Sequence, residues 1–481
     1  MVKEVDERLR KLELLRQAGI NPYPYKFNQN AHSEEIKQSF SKFKGKKVNV
    51  AGRIMRFRNM GKLAFADLKD GEGNIQIMFR KNDLKNKYTI LNYLNLADFI
   101  GVRGEVVKSK TGEITILASN VELLTKTINP LPSDWHGLKD KELRYRHRHL
   151  DLITNPKSHK TFIIRSKINE LIREFLTKKD FLEVETPIIQ PVYGGAAAEP
   201  FTSKLNALNM KVYMRISNEL YLKRLIIGGY EKVFEFSRDF RNEGVDRTHN
   251  PEFTQVEAYA SYWDYNDMMK LLEQLYEFIA KKLYKTTKVT YQGKTVDFKA
   301  PWKRMTMYEA LKKIGGVDIE KTSDAALKSL LRKHNVDFKA KDFVRGFAIS
   351  DLFEELCEDK LVQPTFITDM PKETSPLCKI HRSNPDLIER FEPYVCGMEI
   401  GNAYSELNDP LEQRRQFEFQ QHQAKSGDKE AHPMDVDFIE ALSHGMPPTG
   451  GIGFAIDRMV MLFTDSASIR DVLLFPFMRP Q

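Results

Sequence analysis

Two strand-length runs between residues 233 and 262 constrain what this chain folds into more than any other feature. They read VFEFSRDFRNE and PEFTQVEAYASY, and the loop GVDRTHN joins them. Alternate residues of a strand point to opposite faces, so each run carries one polar face and one apolar face. Such a polar face lines a polar site, or else it belongs to a salt-bridged sheet that faces solvent. The polar faces hold Glu235, Arg241 and Glu243 in the first run and Phe253, Gln255, Glu257 and Tyr259 in the second.

A second run, FEPYVCGMEIGNAYSELNDP, places acids among β-forming residues at 391–410. It carries Glu392, Glu399, Asn402 and Glu406. Carboxylates in such surroundings suit hard cations, because Mg²⁺ prefers oxygen ligands and shares them with phosphates. Acids scattered over a solvent-facing surface are the alternative.

The numbering of this run makes a geometric prediction. Glu399 is odd-numbered whereas Asn402 and Glu406 are even-numbered, so an unbroken strand would turn them to opposite faces. If they share one pocket, the alternation must break between residues 399 and 402. We expect the break at Gly401, because glycine accepts the φ values of a bulge. The alternative is a regular strand with Glu399 on a different surface.

A third segment, PPTGGIGFAIDRMVML at 447–462, predicts a glycine-rich turn followed by a helix that carries Arg458. Gly450, Gly451 and Gly453 allow a backbone or a ligand to approach closely. The glycine spacing is not that of a dinucleotide-binding fingerprint. Together the three segments supply two arginines, an aromatic ring for stacking and several acids, without a Ser-His-Asp or Cys-His arrangement. This set suits in-line displacement at phosphorus by a nucleophile that is already anionic.

The N-terminal third differs in charge and in pattern. Residues 1–150 hold 29 Lys and Arg against 17 Asp and Glu, whereas the remaining residues hold 46 against 49. Residues 46–125 alternate along five short strands, with turns at DGEGN and KTG, which predicts a barrel of the OB type. Such barrels bind single-stranded nucleic acid, so the basic excess indicates a polyanion-binding module. A solvated basic face is the alternative.

The remaining pattern divides the chain into four parts. We expect a helix and connector at 1–45, the OB-type domain at 46–125, a charged linker at 126–160 and an α/β domain at 161–481. A largely helical insertion is expected at about 306–360. Finer expectations are a helix over 161–178, a strand over 181–185 and a hairpin around Gln292-Gly293.

The location of the protein is also predicted. No stretch is apolar enough to span a bilayer, so we expect no membrane partner. The start of the chain lacks the apolar core of a secretory signal. Cys357, Cys378 and Cys396 lie too far apart to suggest a disulfide framework or a zinc site. We therefore expect a cytoplasmic protein.

Three segments of the sequence resemble the motifs of class II aminoacyl-tRNA synthetases. KDFLEVETPII (179–189) resembles motif 1, FRNEG…HNPEF (240–253) resembles motif 2, and GGIGFAIDR (450–458) resembles motif 3. Class I signatures of the HIGH and KMSKS type are absent from the sequence. Within class II the chain is most similar to the lysyl-tRNA synthetase family, nearly from end to end. The similar stretches are GRIMRFRNMGKLAF (52–65), RYRHRHLDLI (144–153), GGAAAEPF (194–201), NELYLKRL (218–225), MEIGNAYSELND (398–409) and VLLFPFMRP (472–480).

The resemblance implies a fold and a reaction. The implied catalytic domain is built on an antiparallel β-sheet flanked by helices and follows the OB-type barrel. The implied enzyme is a ligase of translation that joins L-lysine to ATP as a lysyl-adenylate and passes the lysyl group to tRNA(Lys), with release of AMP and pyrophosphate. Mg²⁺ is the implied cofactor, and motif 1 implies a homodimer.

Several site residues are implied by the resemblance alone. Arg241 and Arg458 are the implied catalytic residues, the first between the substrate carboxylate and the α-phosphate, the second on the γ-phosphate. Glu392 and Glu399 are the implied Mg²⁺ ligands. The implied ATP-binding set comprises Arg241, Glu243, His249, Asn250, Phe253, Glu392, Glu399 and Arg458.

The implied amino-acid pocket offers acids to two ammonium groups and a cation to one carboxylate. Carboxylates at Glu257 and Glu406 argue against an aspartyl or asparaginyl relative, because a buried acid repels an acidic substrate. The implied lysine-binding set is Gly195, Glu219, Arg241, Glu257, Tyr259, Asn402 and Glu406. In the barrel the implied anticodon contacts are Arg53, Phe65, Gln76 and Glu113, although Phe65 fits the barrel core equally well.

Two other functions fit parts of the pattern. A tRNA-independent lysine ligase that modifies a protein would keep the catalytic domain and lack the N-terminal barrel. A non-catalytic RNA-binding paralogue would have lost Arg241, Glu399 or Arg458. Lysine-dependent ATP–pyrophosphate exchange, followed by transfer to tRNA, separates both from the main prediction.

Overall fold

The computed structural model describes residues 2–132, 138–336, 338, 343–425 and 432–480, with the backbone alone at 423–425. It divides into two compact units, Met1–Gly137 and Leu138–Gln481. Parts of two predicted segments lie outside the described residues, namely 133–137 of the linker and 337 and 339–342 of the helical insertion. No helix among the described residues combines the length and the apolar character that crossing a membrane requires.

The first unit is a closed barrel of five strands, as the alternation over 46–125 predicts. The strands are β1 (Lys47–Asn59), β2 (Leu63–Lys69), β3 (Asn74–Arg80), β4 (Phe99–Lys108) and β5 (Ile114–Thr125), and the helices are α1 (Val2–Gln17), α2 (Ser33–Gln38), α3 (Phe40–Phe43) and α4 (Lys81–Leu84). The strands pair in the order β1-β2-β3-β5-β4, and β4 pairs back with β1.

Alternation along β2 decides the position of Phe65. Ala64 and Ala66 are fully buried in the barrel core, whereas Phe65 between them is partly exposed and lies outside that core. Neighbouring strand residues point to opposite faces, so Phe65 lies on the outer surface. The alternative that places Phe65 in the barrel core is wrong.

A mixed sheet of nine strands forms the centre of the second unit. The strands of this unit are β6 (Leu182–Glu183), β7 (Ile189–Gln190), β8 (Thr202–Leu205), β9 (Met210–Met214), β10 (Lys232–Phe240), β11 (Glu252–Ser261), β12 (Lys288–Tyr291), β13 (Lys294–Asp297), β14 (Lys303–Thr306), β15 (Thr365–Pro371), β16 (Leu387–Val395), β17 (Met398–Glu399), β18 (Gly401–Ser405) and β19 (Thr449–Ala455). The central order is β14-β15-β16-β18-β19-β11-β10-β6, with β17 paired to β16. Neighbours are antiparallel except at the two edges, where β14 with β15 and β6 with β10 are parallel.

Helices cover the apolar face of this sheet. The α-helices of the unit are α5 (Lys141–Arg146), α6 (Arg148–Thr154), α7 (Pro156–Thr177), α8 (Glu219–Ile227), α9 (Tyr265–Tyr284), α10 (Met307–Ala310), α11 (Asp324–Lys333), α12 (Arg345–Cys357), α13 (Pro410–Lys425), α14 (Val436–Ser443), α15 (Ile456–Thr464) and α16 (Ile469–Val472). Val256 and Ala258 of β11 share one buried core with Ile168 of α7, Met268 of α9 and Met459 of α15. The predicted apolar face of 251–262 is thereby confirmed, and the opposite face is left for polar residues.

Several predicted elements differ in extent. The helix predicted from residue 161 begins at Pro156, because the Asn155 side chain caps it by accepting the backbone N–H of Lys157 at 3.1 Å. Helices α5 and α6 lie within the predicted linker. The strand predicted over 181–185 is limited to β6, since Pro187 cannot donate to a ladder. The hairpin at Gln292-Gly293 is confirmed, with positive φ at both residues.

The predicted glycine-rich turn at 449–455 is wrong, because this segment is the strand β19 at the centre of the sheet. A Cβ at Gly451 would collide with the Glu406 carboxylate and the Tyr259 ring. Glycine is therefore required here by side chains that approach the strand, not by a change of chain direction.

The predicted break in alternation between residues 399 and 402 is confirmed. Tyr394 pairs with Glu399, whereas Phe391 pairs with Ala403, so the strand that follows Glu399 contains one extra residue. The reason given for Gly401 needs correction, since its φ lies outside the left-handed region. A Cβ at Gly401 would lie 2.7 Å from the carbonyl oxygen of Gly453, so close approach of β19 demands the glycine.

We expect Gly401→Ala to force β18 away from β19 and to lower the free energy of unfolding by about 2 kcal/mol. Urea denaturation of the purified protein measures this. Gly244→Ala is the matched control, because an added Cβ there meets no atom within 4 Å. Equal unfolding midpoints for the two variants would contradict the packing argument.

Candidate active site

One cavity of about 340 Å³ opens on the polar face of the central sheet. It brings together every predicted ATP-binding and lysine-binding residue except Glu406. The predicted residues in its wall are Gly195, Glu219, Arg241, Glu243, His249, Asn250, Phe253, Glu257, Tyr259, Glu392, Glu399, Asn402 and Arg458. Strands β11, β16, β18 and β19 supply a large part of the wall, so the site depends on the register of these strands.

Arg241 stands just beyond the end of β10 and lines the cavity. Its backbone N–H donates to the carbonyl of Pro251 at 3.0 Å, and its guanidinium lies 5.0 Å from the centre of the Phe253 ring. Among the described residues its side chain finds neither a hydrogen bond nor an ion pair, and its Nε is buried without a partner. A buried cation in this state offers a binding site to an anion.

Arg458 and His249 meet at one side of the cavity. Arg458 donates to the carbonyl oxygen of Glu399 at 2.5 Å, and its second nitrogen lies 3.2 Å from His249 Nε2. His249 Nδ1 lies 2.8 Å from Asp246 Oδ2, and the carboxylate oxygen accepts the hydrogen bond. Partial burial alone would raise the pKa of Asp246, but hydrogen bonds from Thr248 and His249 outweigh it and hold the pKa well below its usual range.

The other predicted motif 2 residues differ in exposure. Asn250 is buried and donates to the carbonyl of Glu252 at 2.6 Å, while its own amide oxygen has no partner among the described residues. Glu243 is exposed at the cavity rim. Gly195 has φ +89°, and a Cβ there would lie 2.7 Å from Ser217 Oγ, so the backbone itself forms this part of the wall.

Arg390 is a cavity residue that the sequence argument missed. It donates to Glu392 at 2.6 Å, to the Asn402 side chain at 3.0 Å and to the carbonyl of Thr374 at 3.0 Å. The signal was available, because residues 390 and 392 share parity on β16 and therefore share a face. Arg390 thus links Glu392, the predicted metal ligand, with Asn402, which is predicted to bind the substrate carboxylate.

Glu392 and Glu399 fit a magnesium ion through their chemistry. Glu392 also accepts the Tyr394 hydroxyl at 2.7 Å, which fixes its orientation. Partial burial, together with Glu392, raises the pKa of Glu399. The described residues contain no cluster of three or more His, Cys, Asp or Glu arranged for a metal. Two carboxylates nevertheless suit Mg²⁺, which completes its shell with phosphate oxygens and water.

Glu257, another residue of the cavity wall, is the centre of a hydrogen-bonded group. It accepts from Ser217 at 2.8 Å, from Gln255 at 2.7 Å and from the Tyr259 hydroxyl at 3.0 Å. Burial, followed by the charges of Asp239 and Glu219, raises the pKa of the Glu257 carboxyl to about 8. A cationic ligand would favour its ionised form.

Glu219 and Glu406 converge on a lysine that the sequence argument missed. Lys223 Nζ lies 2.5 Å from Glu219 Oε1 and forms an ion pair with Glu406 Oε2. The second oxygen of Glu219 accepts the Tyr404 hydroxyl. Glu406 is buried and does not line the cavity, but its Oε1 lies next to Gly451, a residue of the cavity wall. Lys223 follows Glu219 by one helical turn, a spacing that in sequence indicates an ordinary surface pair.

The four predicted anticodon residues lie in the first unit. Phe65 and Gln76 lie partly exposed on β2 and β3, and Gln76 donates to Glu113 at 2.7 Å. Arg53 of β1 lies 4.3 Å from the centre of the Phe99 ring and donates to the carbonyl of Ala97 at 3.2 Å. Phe65 and Gln76 present an aromatic ring and an amide on adjacent strands.

Comparison with known proteins gives matches over both units. Residues 140–479 match the family model described as tRNA synthetases class II (D, K and N), and residues 48–124 match the OB-fold nucleic acid binding domain. The chain is similar to the lysine–tRNA ligases of Clostridium novyi, Fervidobacterium nodosum and a Thermoanaerobacter species, with 49%, 48% and 50% identity. The alignments cover 99%, 100% and 100% of this chain and 94%, 95% and 97% of those relatives.

Proposed function

The chain belongs to the class II lysine–tRNA ligases, and from this premise we propose that its cavity joins L-lysine to ATP and then transfers the lysyl group to tRNA(Lys). One observation carries the assignment to this cavity. The cavity brings the Arg241 guanidinium, whose Nε has no hydrogen-bond partner among the described residues, together with two acids suited to a metal and with buried acids suited to ammonium groups.

In the first step a carboxylate oxygen of lysine attacks the α-phosphorus of ATP and forms a new O–P bond. The bond between the α-phosphorus and the bridging oxygen of the β-phosphate breaks, and pyrophosphate leaves. The carboxylate is ionised at neutral pH, so the step needs no general base. Arg241 offsets the repulsion between the two anions, and Arg458 holds the γ-phosphate. Phe253 stacks on the adenine ring, while Glu243, His249 and Asn250 contact ATP.

Glu392 and Glu399 hold Mg²⁺ in this proposal. A bound Mg²⁺ neutralises charge on the phosphates of ATP. Arg390 orients both Glu392 and Asn402 by donating a hydrogen bond to each side chain. The carboxylate of the substrate lies between Arg241 and Asn402, which sets its distance from the α-phosphorus.

The amino-acid end of the cavity selects lysine through its acids. Glu219 and the Gly195 backbone face the α-ammonium, while Glu257, Tyr259 and Glu406 face the ε-ammonium. An acidic or amide side chain would meet buried carboxylates here and be repelled.

In the second step a hydroxyl of the tRNA 3′-terminal ribose attacks the carbonyl carbon of the adenylate, and AMP leaves. We assign anticodon contact to the outer surface of the barrel, where Phe65 stacks on a base and Arg53, Gln76 and Glu113 supply polar contacts. The basic excess of residues 1–150 attracts the phosphate backbone.

A homodimer is part of the proposal. Ile163, Ile189 and Leu208 are 57%, 60% and 68% exposed, and Phe475 and Phe477 are 78% and 68% exposed. Large apolar side chains left in water around a motif 1 segment suit a subunit interface. We also place the enzyme in the cytoplasm, where reducing conditions suit its three free cysteines.

The two alternative functions are not supported. The OB-fold match at 48–124 supplies the barrel that a tRNA-independent protein ligase would lack. Arg241, Glu399 and Arg458 are all present, which a non-catalytic paralogue would not need. Lysine-dependent ATP–pyrophosphate exchange, with aspartate and asparagine as controls, tests the first step, and charging of tRNA(Lys) tests the second. Exchange with aspartate but not with lysine would overturn the proposal.

We expect Arg241→Ala to lose at least about 3 kcal/mol of transition-state stabilisation, or roughly a hundredfold in exchange rate. Glu399→Gln should raise the Mg²⁺ requirement and slow exchange less, while tRNA binding stays intact. Exchange kinetics and a tRNA-binding assay measure these effects. Lys333→Ala, an exposed change on α11, serves as control, and wild-type exchange in both site variants would show that the site is misplaced.

Lysine binding at pH 7 should release most of one proton, because the Glu257 carboxyl has a pKa of about 8 in the empty pocket and ionises beside an ammonium. The KM for lysine should accordingly fall as the pH rises from about 6 to 8. Titration calorimetry in two buffers of different ionisation enthalpy counts the proton. Glu257→Gln should abolish the release, and identical heats for the wild type in both buffers would contradict this assignment.

The protein should sediment as a dimer that buries more than roughly 2,000 Å² in total. Ile189→Asp should shift it toward monomer, because it would bury an unpaired charge in the interface. Lys333→Asp, a charge change at an exposed site of α11, is the control. A wild-type monomer with full exchange activity would rule out the dimer.

A further inference from the structure

Lys223 lies next to Glu219, a residue of the cavity wall, and its own side chain is 0% exposed. Its Nζ lies 2.5 Å from Glu219 Oε1 and pairs with Glu406 Oε2. It also lies 5.5 Å from the centre of the Tyr404 ring, whose hydroxyl donates to the other oxygen of Glu219. A buried ammonium is costly, so a site that keeps one between two acids requires an explanation.

The three groups determine one another's charge. Burial alone would lower the pKa of Lys223, but Glu219 and Glu406 outweigh it and raise the pKa, so the lysine is charged. Burial and the acids around it raise the pKa of Glu406, and Lys223 is the neighbour that acts in the opposite direction. Removal of Lys223 would therefore raise the pKa of the Glu406 carboxyl further.

The acids and the substrate offer complementary groups. Glu219 and Glu257 line the cavity, Glu406 lies next to Gly451 of its wall, and Lys223 pairs with Glu219 and Glu406. L-lysine brings two ammonium groups, while its carboxylate belongs to the Arg241 end. Among the described residues Glu406 Oε1 has no hydrogen-bond partner, and it lies next to Gly451 of the cavity wall.

Resting on the proposed function, we infer that Lys223 is a positioning residue for lysine selection: it pairs with one oxygen of Glu219 and one oxygen of Glu406 and fixes both acids, so that the second oxygen of Glu406 receives the substrate's ε-ammonium. Lys223 acts through the two acids and does not itself touch lysine. Selection then rests on an internal ammonium that shares Glu406 with the incoming one.

The variant Lys223→Met keeps the length of the side chain and removes its charge. We expect the KM for lysine in ATP–pyrophosphate exchange at pH 7 to rise at least about 30-fold, while kcat falls less than about threefold, because the loss is confined to substrate binding. Lys223→Arg should bring KM back to within about fivefold of the wild type, since it restores the charge. If Lys223→Met does not fold, Lys223→Gln provides the same test.

The pH dependence separates a charge role from a packing role. The titratable groups that face Lys223 and its partners are Glu219, Glu406, Glu257, Tyr259, Tyr404 and Cys378. The ratio of variant KM to wild-type KM should fall at least about fivefold between pH 6.5 and 8.5, because the carboxyl that lost its cation must lose a proton to bind lysine. Taking the ratio removes the titration of Glu257 and of the substrate, which both enzymes share.

Arg224→Met is the matched control on the same helix. It removes the ion pair with Asp435 at 2.9 Å, away from the cavity, and should leave the KM for lysine unchanged. A wild-type KM in Lys223→Met, or a raised KM whose ratio is constant with pH and that Lys223→Arg does not rescue, would overturn the inference while the ligase function stands. Absence of lysine-dependent exchange in the wild type would instead overturn the proposed function.

Discussion

Carboxylates buried in the second unit need a cation or a set of hydrogen-bond donors, and this requirement organises the site. Arg215 pairs with Glu235 at 2.7 Å and with Asp239 at 3.2 Å, which fastens the segment after β9 to β10. Lys223 likewise connects α8 with the residue that follows β18, because it pairs with Glu219 and Glu406. Because the charged partners lie on different elements, a shift of any one element would leave a buried charge alone.

One face of the central sheet packs against helices, and the other borders the cavity. The apolar face packs on α7, α9 and α15 and supplies a rigid support. The polar face borders the cavity, whose wall contains the ionisable groups of Arg241, Glu257, Glu392 and Glu399. This separation explains how so many ionisable groups are tolerated at the centre of a domain, since none of them interrupts the core that holds the strands together.

Much of the site was accessible from strand parity. Alternation along 251–262 placed Gln255, Glu257 and Tyr259 on one face, and the odd number of Glu399 required a break that the register of β17 and β18 contains. Lys223 was missed because its spacing from Glu219 also fits a surface ion pair, and burial decides between the two. The glycines of β19 predicted a turn because the side chains that demand them come from distant parts of the chain. These are tertiary contacts, and a local sequence pattern does not contain them.

The bare backbone of β19 has a consequence for inhibitor resistance. A common route to resistance is a larger side chain that fills the space an inhibitor occupies while the natural substrate still fits. At Gly451 this route is closed, because even a methyl group would strike Glu406 and Tyr259, the groups assigned to lysine. An inhibitor that contacts β19 at Gly451 would therefore meet a position that cannot carry a larger side chain. A resistance substitution there would also displace the groups assigned to lysine binding.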